Sequence, residues 1–155
     1  MIRKEKNEKD IKYILENLRD EDKKEALTVR GENFVDELLK DIMKSQDVNL
    51  GVRKKDGLPI CVGGCSETEE KGVGIVWLLC TKEIENHQAC LIRHLIRCFK
   101  EYEKKYWLTF NFIFEENYLA KNWLKKFGYV FVKDGLNIPD KFEMFFRKRK
   151  TRGLE

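Results

Sequence analysis

Proline and glycine are scarce where they would matter most in this 155-residue chain. Only two prolines, Pro59 and Pro139, interrupt it, so nearly its whole length is open to regular helix or strand. Of ten glycines, none lies between Gly74 and Gly128. Any turn in that span that needs a very close backbone approach must therefore be made by residues carrying a Cβ. Long apolar runs are missing too. The longest, residues 73–80, is strand-sized and far below a membrane span, so no membrane partner is expected. No apolar segment follows the opening Met1-Ile2-Arg3-Lys4-Glu5-Lys6, so a secretory signal is not expected and a cytoplasmic protein is.

Cysteine argues the same way. Cys61, Cys65, Cys80, Cys90 and Cys98 are odd in number and sit inside apolar runs, which reads as buried, reduced thiol and not as a disulfide framework. Cys90, His94 and Cys98 stand four residues apart along a predicted helix, and Cys61 and Cys65 four apart on a predicted strand. Zinc requires a tetrahedral thiolate or imidazole set, and no paired short-spaced knuckle is present, so no metal is expected. Cys90 and His94 could meet on one helix face as a nucleophile pair, but no orienting Asn or Asp can be named. The formal net charge of +4 is modest, and much of the excess falls in Arg147-Lys148-Arg149-Lys150 and Arg152. A nucleic-acid footprint would spread such charge along a face with interleaved aromatics. The expectation is one domain over residues 1–147, then a solvated basic tail over 148–155, with nucleic acid not a partner.

What is present is strong periodicity. Ile11, Ile14, Leu15 and Leu18 form one apolar face of a helix over 8–18, and Phe34, Val35, Leu38, Leu39, Ile42 and Met43 repeat the pattern. Residues 2–4 could add a short first strand. A strand over 48–53 leads to Asp56-Gly57, a hairpin signal, and then to a strand alternating through Leu58, Ile60, Val62 and Gly64. Gly63-Gly64 marks a bulge or the close approach of another backbone. The run 73–80 reads as a strand buried on both faces. A helix over 88–104 directs Leu91, Ile92, Leu95, Ile96, Phe99 and Tyr102 inward, with Asn86 as its N-cap. Aromatic and β-branched residues over 107–114 form a strand, and 118–127 a helix ended by Gly128. A last hairpin joins 129–132 to 142–147. Trp77, Trp107 and Trp123 are expected in the core. The fold class is thus α/β (α+β), with a mixed, mostly antiparallel sheet of six or seven strands and about four helices.

This order of elements resembles the GNAT acyltransferase fold. Asn117-Tyr118-Leu119-Ala120, continuing through Trp123-Leu124-Lys125-Lys126-Phe127-Gly128-Tyr129, is similar to the GNAT pattern of Asn, two residues, Ala, and a helix closing in Gly and an aromatic. Asn17-Leu18-Arg19-Asp20-Glu21-Asp22-Lys23-Lys24-Glu25 and Val76-Trp77-Leu78-Leu79-Cys80-Thr81 resemble a phage branch similar to the internal virion protein A family. The resemblance implies acetyl-CoA as cofactor and an amine as acceptor, with phage or host proteins as partners and a virion-associated location as an alternative. It implies that the main chain of Leu78, Leu79 and Cys80 holds the pantetheine and polarises the thioester carbonyl. His87, Gln88 and Ala89, at the start of the helix, would meet the pyrophosphate. Asn117 would touch the pantetheine arm or order its loop, and Glu116 is the candidate base.

Two features depart from the family pattern. The pyrophosphate loop lacks its glycines over residues 81–90, and Glu83 and Glu85 set negative charge beside the expected anion, offset in part by Lys82. Leu124 stands where many members carry the tyrosine that protonates the leaving thiolate, and Tyr118 lies on another helix face. These departures set a rival beside the enzyme: a non-catalytic GNAT-fold protein acting in virion assembly or partner binding.

Overall fold

The computed structural model describes residues 1–135 and 137–150. Among them the order is β1 (Ile2–Arg3), α1 (Glu8–Glu16), α2 (Asp20–Arg30), α3 (Phe34–Lys44), β2 (Val48–Val52), β3 (Pro59–Glu67) and β4 (Val73–Cys80). A 3-10 helix (Lys82–Asn86) follows, then α4 (Gln88–Lys105), β5 (Leu108–Phe114), α5 (Tyr118–Lys126), β6 (Val130–Val132) and β7 (Phe142–Lys148). The strands make one seven-stranded sheet in the order β1-β2-β3-β4-β5-β7-β6. β4 and β5 run parallel at Val73↔Leu108 to Ile75↔Phe110, and β5–β7, β6–β7, β1–β2 and β2–β3 are antiparallel.

The expected fold class therefore holds, with a helix more than the sequence suggested. α2 has almost no apolar stripe: only Asp22 and Ala26 are buried along Asp20–Arg30. Its periodicity is invisible to an apolar count because the residue it turns inward is a carboxylate. Its ends carry an acidic first turn and Gly31 at φ 77°.

Two compact units divide the chain: Met1–Ser66 with Trp77–Leu91, and Glu67–Val76 with the chain from Ile92 onward. In the first, α1 and α3 lay Ile11, Ile14, Leu15, Phe34 and Ile42 on the face of the sheet formed by Val48, Leu50, Val52 and Val62. Each fully buried aliphatic side chain of this kind contributes about 1.5–3 kcal/mol. Gly63 and Gly64 are sites of close backbone approach. A Cβ at Gly63 would lie 2.9 Å from the Trp77 carbonyl oxygen, and one at Gly64 would collide with that of Asp47. The register irregularity of this hairpin falls at Gly51/Val52 instead.

The second unit has an aromatic core. Phe99 meets Tyr102, Phe127 and Tyr129 edge-on, Tyr129 meets Phe145, and the Tyr129 hydroxyl bonds Thr109 Oγ1 at 2.8 Å in the interior.

Several positions differ from expectation. β4 is only half-buried at Trp77, Leu78 and Leu79, whereas β2 and much of β3 are enclosed. Trp123 is core, but Trp107 is 46% exposed and rests its ring against Gly72, whose missing Cβ makes the room. Ile96 is exposed where an inward position was expected. All five cysteines are reduced; Cys61, Cys65 and Cys80 are buried, Cys98 is half-buried, and Cys90 is exposed on the first turn of α4. Residue 148 closes β7, and the Arg149 N–H donates to the Trp107 carbonyl at 2.7 Å. The rest of the expected basic tail, residues 151–155 with Arg152, lies outside the described residues.

Candidate functional site

The end of β4 is closed by the chain's own N-terminal segment. Leu18 and Thr81 form an antiparallel bridge where α1 passes to α2. The Arg19 N–H donates to the Cys80 carbonyl at 2.9 Å, and the Cys80 N–H donates to Asp22 Oδ2 at 2.8 Å. Asp22 Oδ1 takes a hydrogen bond from Arg19 Nη2 at 2.9 Å, and both side chains are 5% exposed. Neighbouring residues of a strand turn their main-chain groups to opposite sides. The Thr81 N–H goes to Ile60 of β3 at 2.8 Å, so Cys80 presents its own groups on the edge turned away from β3. Both are taken there by Arg19 and Asp22. In this structure the main-chain N–H and carbonyl of Cys80, a position the resemblance assigns to the cofactor, are bonded within the chain.

The pair's electrostatics follow from its burial. Desolvation pushes the Asp22 carboxyl above the usual carboxylate range, against the pull of the Arg19 guanidinium and the Cys80 N–H. Desolvation works most strongly against the Arg19 guanidinium, but the charge and hydrogen bond of Asp22, with smaller contributions from Cys80 and Glu21, together outweigh it and hold the proton more tightly than usual. The Cys80 thiol lies well above its ordinary range, through its hydrogen bond with Cys61 and its complete burial. It is an inert thiol.

The segment expected to cradle a pyrophosphate is a 3-10 turn with partners of its own. Arg53, on the β2–β3 hairpin, holds Asp56 with Nε and Nη2 at 2.9 and 2.6 Å and reaches Glu83 Oε1 with Nη1 at 3.0 Å. His87 Nε2 lies 3.2 Å from the same Glu83 oxygen. Glu83 is held below its ordinary pKa by His87 and then by Arg53, and Asp56 likewise by Arg53. The Gln88 side-chain amide donates to the Glu85 carbonyl at 3.2 Å, while Ala89 is exposed. α4 starts at Gln88, so His87 and not Asn86 directly precedes its first residue.

In the second unit, Glu116 and Asn117 occupy the turn between β5 and α5. Glu116 is exposed, and Asn117 is 2% exposed with its N–H on the Phe114 carbonyl. Glu115 pairs with Lys133 at 3.2 Å. Leu124 is half-buried, its carbonyl accepting the Tyr129 N–H at 3.1 Å. His94 Nε2 lies 3.2 Å from Cys98 Sγ, and among the described residues no group of three His, Cys, Asp or Glu side chains is arranged to hold a metal ion. None of the described helices is long and apolar enough to cross a membrane.

The site therefore joins Cys80, a position singled out in the sequence, to Arg19 and Asp22 in a trio, and chemical pattern alone missed the role of the last two. Two of its members are a cation and an anion spaced i, i+3 at a helix start, which in sequence is indistinguishable from a surface pair.

Neither a protein-family model nor a curated protein matches the sequence. Solved structures do match, over nearly the whole chain. An aminoglycoside 6'-acetyltransferase of type Ii is 15% identical with a TM-score of 0.69, covering 99% of each chain. The PaiA N-acetyltransferase of Thermoplasma acidophilum, in complex with coenzyme A, is 18% identical with a TM-score of 0.68, covering 96% of this chain and 98% of that one. A GNAT-family acetyltransferase from Streptococcus pneumoniae is 12% identical with a TM-score of 0.65, covering 97% and 99%. The chain has the GNAT fold, and these neighbours are acetyltransferases.

Proposed function

We propose that this chain is an acetyltransferase-like protein of phage or prophage type that keeps the GNAT scaffold and uses it to hold a protein partner, not to transfer an acetyl group. The observation that carries this reading is the closed edge at Cys80, where Arg19 and Asp22 take the main-chain bonds that the pantetheine of acetyl-CoA would need. A ligand entering there would have to displace a buried carboxylate and break its bond with the Arg19 guanidinium, a cost of several kcal/mol. The glycine-free turn at 82–86, tied to Arg53 through Glu83, and the leucine at 124 point the same way.

The phage assignment rests on the sequence resemblance alone. The two stretches that carry that resemblance, 17–25 and 76–81, are the two that interlock at Leu18–Thr81 and at Arg19, Asp22 and Cys80. The partner is then a phage or host protein.

A second reading, an acetyl-CoA-dependent N-acetyltransferase, is favoured by the full-length likeness to acetyltransferases, one of them in complex with coenzyme A. Fold alone is a weak warrant for activity. In that reading Leu78, Leu79, His87, Gln88, Ala89 and Asn117 contact the cofactor and Glu116 takes a proton from the amine.

Isothermal titration of CoA and acetyl-CoA, with thermal shift alongside, separates the two. The first reading expects no heat and no rise in melting temperature at about 1 mM ligand. Micromolar binding that is lost in Ala89→Glu or Asn117→Ala would sink it and establish the enzyme.

A further inference from the structure

In the second unit a groove of about 610 Å³ opens between the later turns of α4, the end of α5 and the β6–β7 hairpin. Its floor is apolar, and Ile96 and Val130 are 43% and 54% exposed there, beside Phe127 and Phe146. Aliphatic surface this open, concentrated in one concavity, marks an interaction site more often than scattered residues do. Its rim is cationic. Lys100, Lys126, Lys148 and Lys150 are exposed, and among the described residues none of them makes an ion pair. The one carboxylate of the lining, Glu103, is neutralised by Arg147 at 2.5 Å. Five cations less one carboxylate give the groove +4, which equals the formal charge of the whole chain, so the rest of the molecule balances to zero. Lys126 ends α5, where a cation answers the helix dipole, but Lys148 and Lys150 belong to β7 and the residues after it and have no such duty.

We infer that this groove is a docking site for an acidic, extended segment of a partner protein in which aliphatic and acidic side chains alternate. Charge complementarity selects the acidic component. Aliphatic anchors are selected by Ile96 and Val130, which are exposed in the groove while the Phe127 and Phe146 rings beside them are half-buried. An extended conformation is selected by the sheet itself: β6 is its last strand, and among the described residues no strand pairs with its outer side. An added strand would place every second side chain over the groove and the others toward solvent. The inference deepens the partner-binding reading without using the edge at Cys80.

The test is fluorescence anisotropy with a labelled twelve-residue peptide of alternating Leu and Glu, titrated with the full chain at about 0.1 M salt. The controls are oligoglutamate of equal length, single-stranded DNA of equal length and anionic phosphatidylglycerol vesicles. The alternating peptide should bind at least about tenfold more tightly than oligoglutamate. The double reversal Lys126→Glu/Lys148→Glu should weaken it about tenfold or more. Val130→Asp should remove the preference over oligoglutamate, with melting curves verifying that both variants fold. Equal affinity for the two peptides, indifference to both variants, or tighter binding of DNA or vesicles would overturn the inference. Because CoA titration reads a different part of the chain, failure here leaves the Cys80 reading standing, and CoA binding there leaves this result untouched.

Discussion

Replacing Asp22 by alanine is the most informative single change. The carboxylate accepts from Arg19 Nη2 at 2.9 Å and from the Cys80 N–H at 2.8 Å, and it is 5% exposed. Its removal leaves the buried Arg19 guanidinium without its close partner, with the half-exposed Glu21 carboxylate 3.7 Å away, and a buried main-chain donor to find a new one. Breaking such a pair from one side costs about 3–5 kcal/mol. In a chain of this size 1 kcal/mol moves the midpoint by about 2–4 °C, so the melting temperature should fall by roughly 6–20 °C. Arg19→Met should cost a similar amount by stranding Asp22. The double variant Arg19→Met/Asp22→Leu removes both charges, and what remains is chiefly the unpaired Cys80 N–H, about 1–3 kcal/mol. It should therefore be more stable than either single variant. Urea denaturation of the four proteins at pH 7, read by near-UV circular dichroism, closes the cycle. An Asp22→Ala loss below about 1 kcal/mol, or a double variant whose loss equals the sum of the singles, would refute a buried, mutually dependent pair.

Three further outcomes follow from the geometry. Glu83 is depressed in pKa by His87 and Arg53. A depressed carboxyl lends stability above its unfolded pKa and loses it as pH falls through the folded one. The melting-temperature difference between wild type and Glu83→Gln should thus be present at pH 7 and shrink steadily below the ordinary Glu range near pH 4.5; a constant difference down to pH 3 would contradict it. Gly64→Ala should destabilise by about 3 kcal/mol or more in urea, because its Cβ meets the Asp47 carbonyl, which is backbone and cannot swing aside. A thiol-reactive dye should label Cys90 first and Cys98 more slowly, with Cys61, Cys65 and Cys80 reacting only on unfolding; prompt labelling of Cys80 would contradict its burial and raised pKa.

Residues with one face to hide were legible. The stripe of α3 and the Asp56-Gly57 turn each announced an element through apolar period or turn chemistry. What escaped was organised by polar burial. α2 is held at its inward face by Asp22, a residue every propensity argument assigns to the surface. Trp107 looked like core because an aromatic before a strand normally is; it lies against Gly72, and that contact is between segments distant in sequence. The candidate cofactor residues were legible only as positions. Whether Cys80 offers a free N–H depends on what lies across its edge, and the partner is 58 residues away.

That partner also bears on how the fold could give up its chemistry without losing stability. A bound cofactor stabilises a folded protein by mass action, so a scaffold that stops binding one must fill the edge or leave polar main chain exposed. Here Arg19 and Asp22 bond the Cys80 main chain from within the chain, and Arg53 and His87 hold Glu83 in the turn that follows β4. Both sets of contacts draw on residues of the first unit alone. If the edge is the reason CoA is excluded, Asp22→Ala should raise CoA affinity in the same preparation in which it lowers stability. If CoA stays silent while stability falls, the glycine-free turn at 82–86 is the stronger barrier, and the pair at Cys80 serves folding alone.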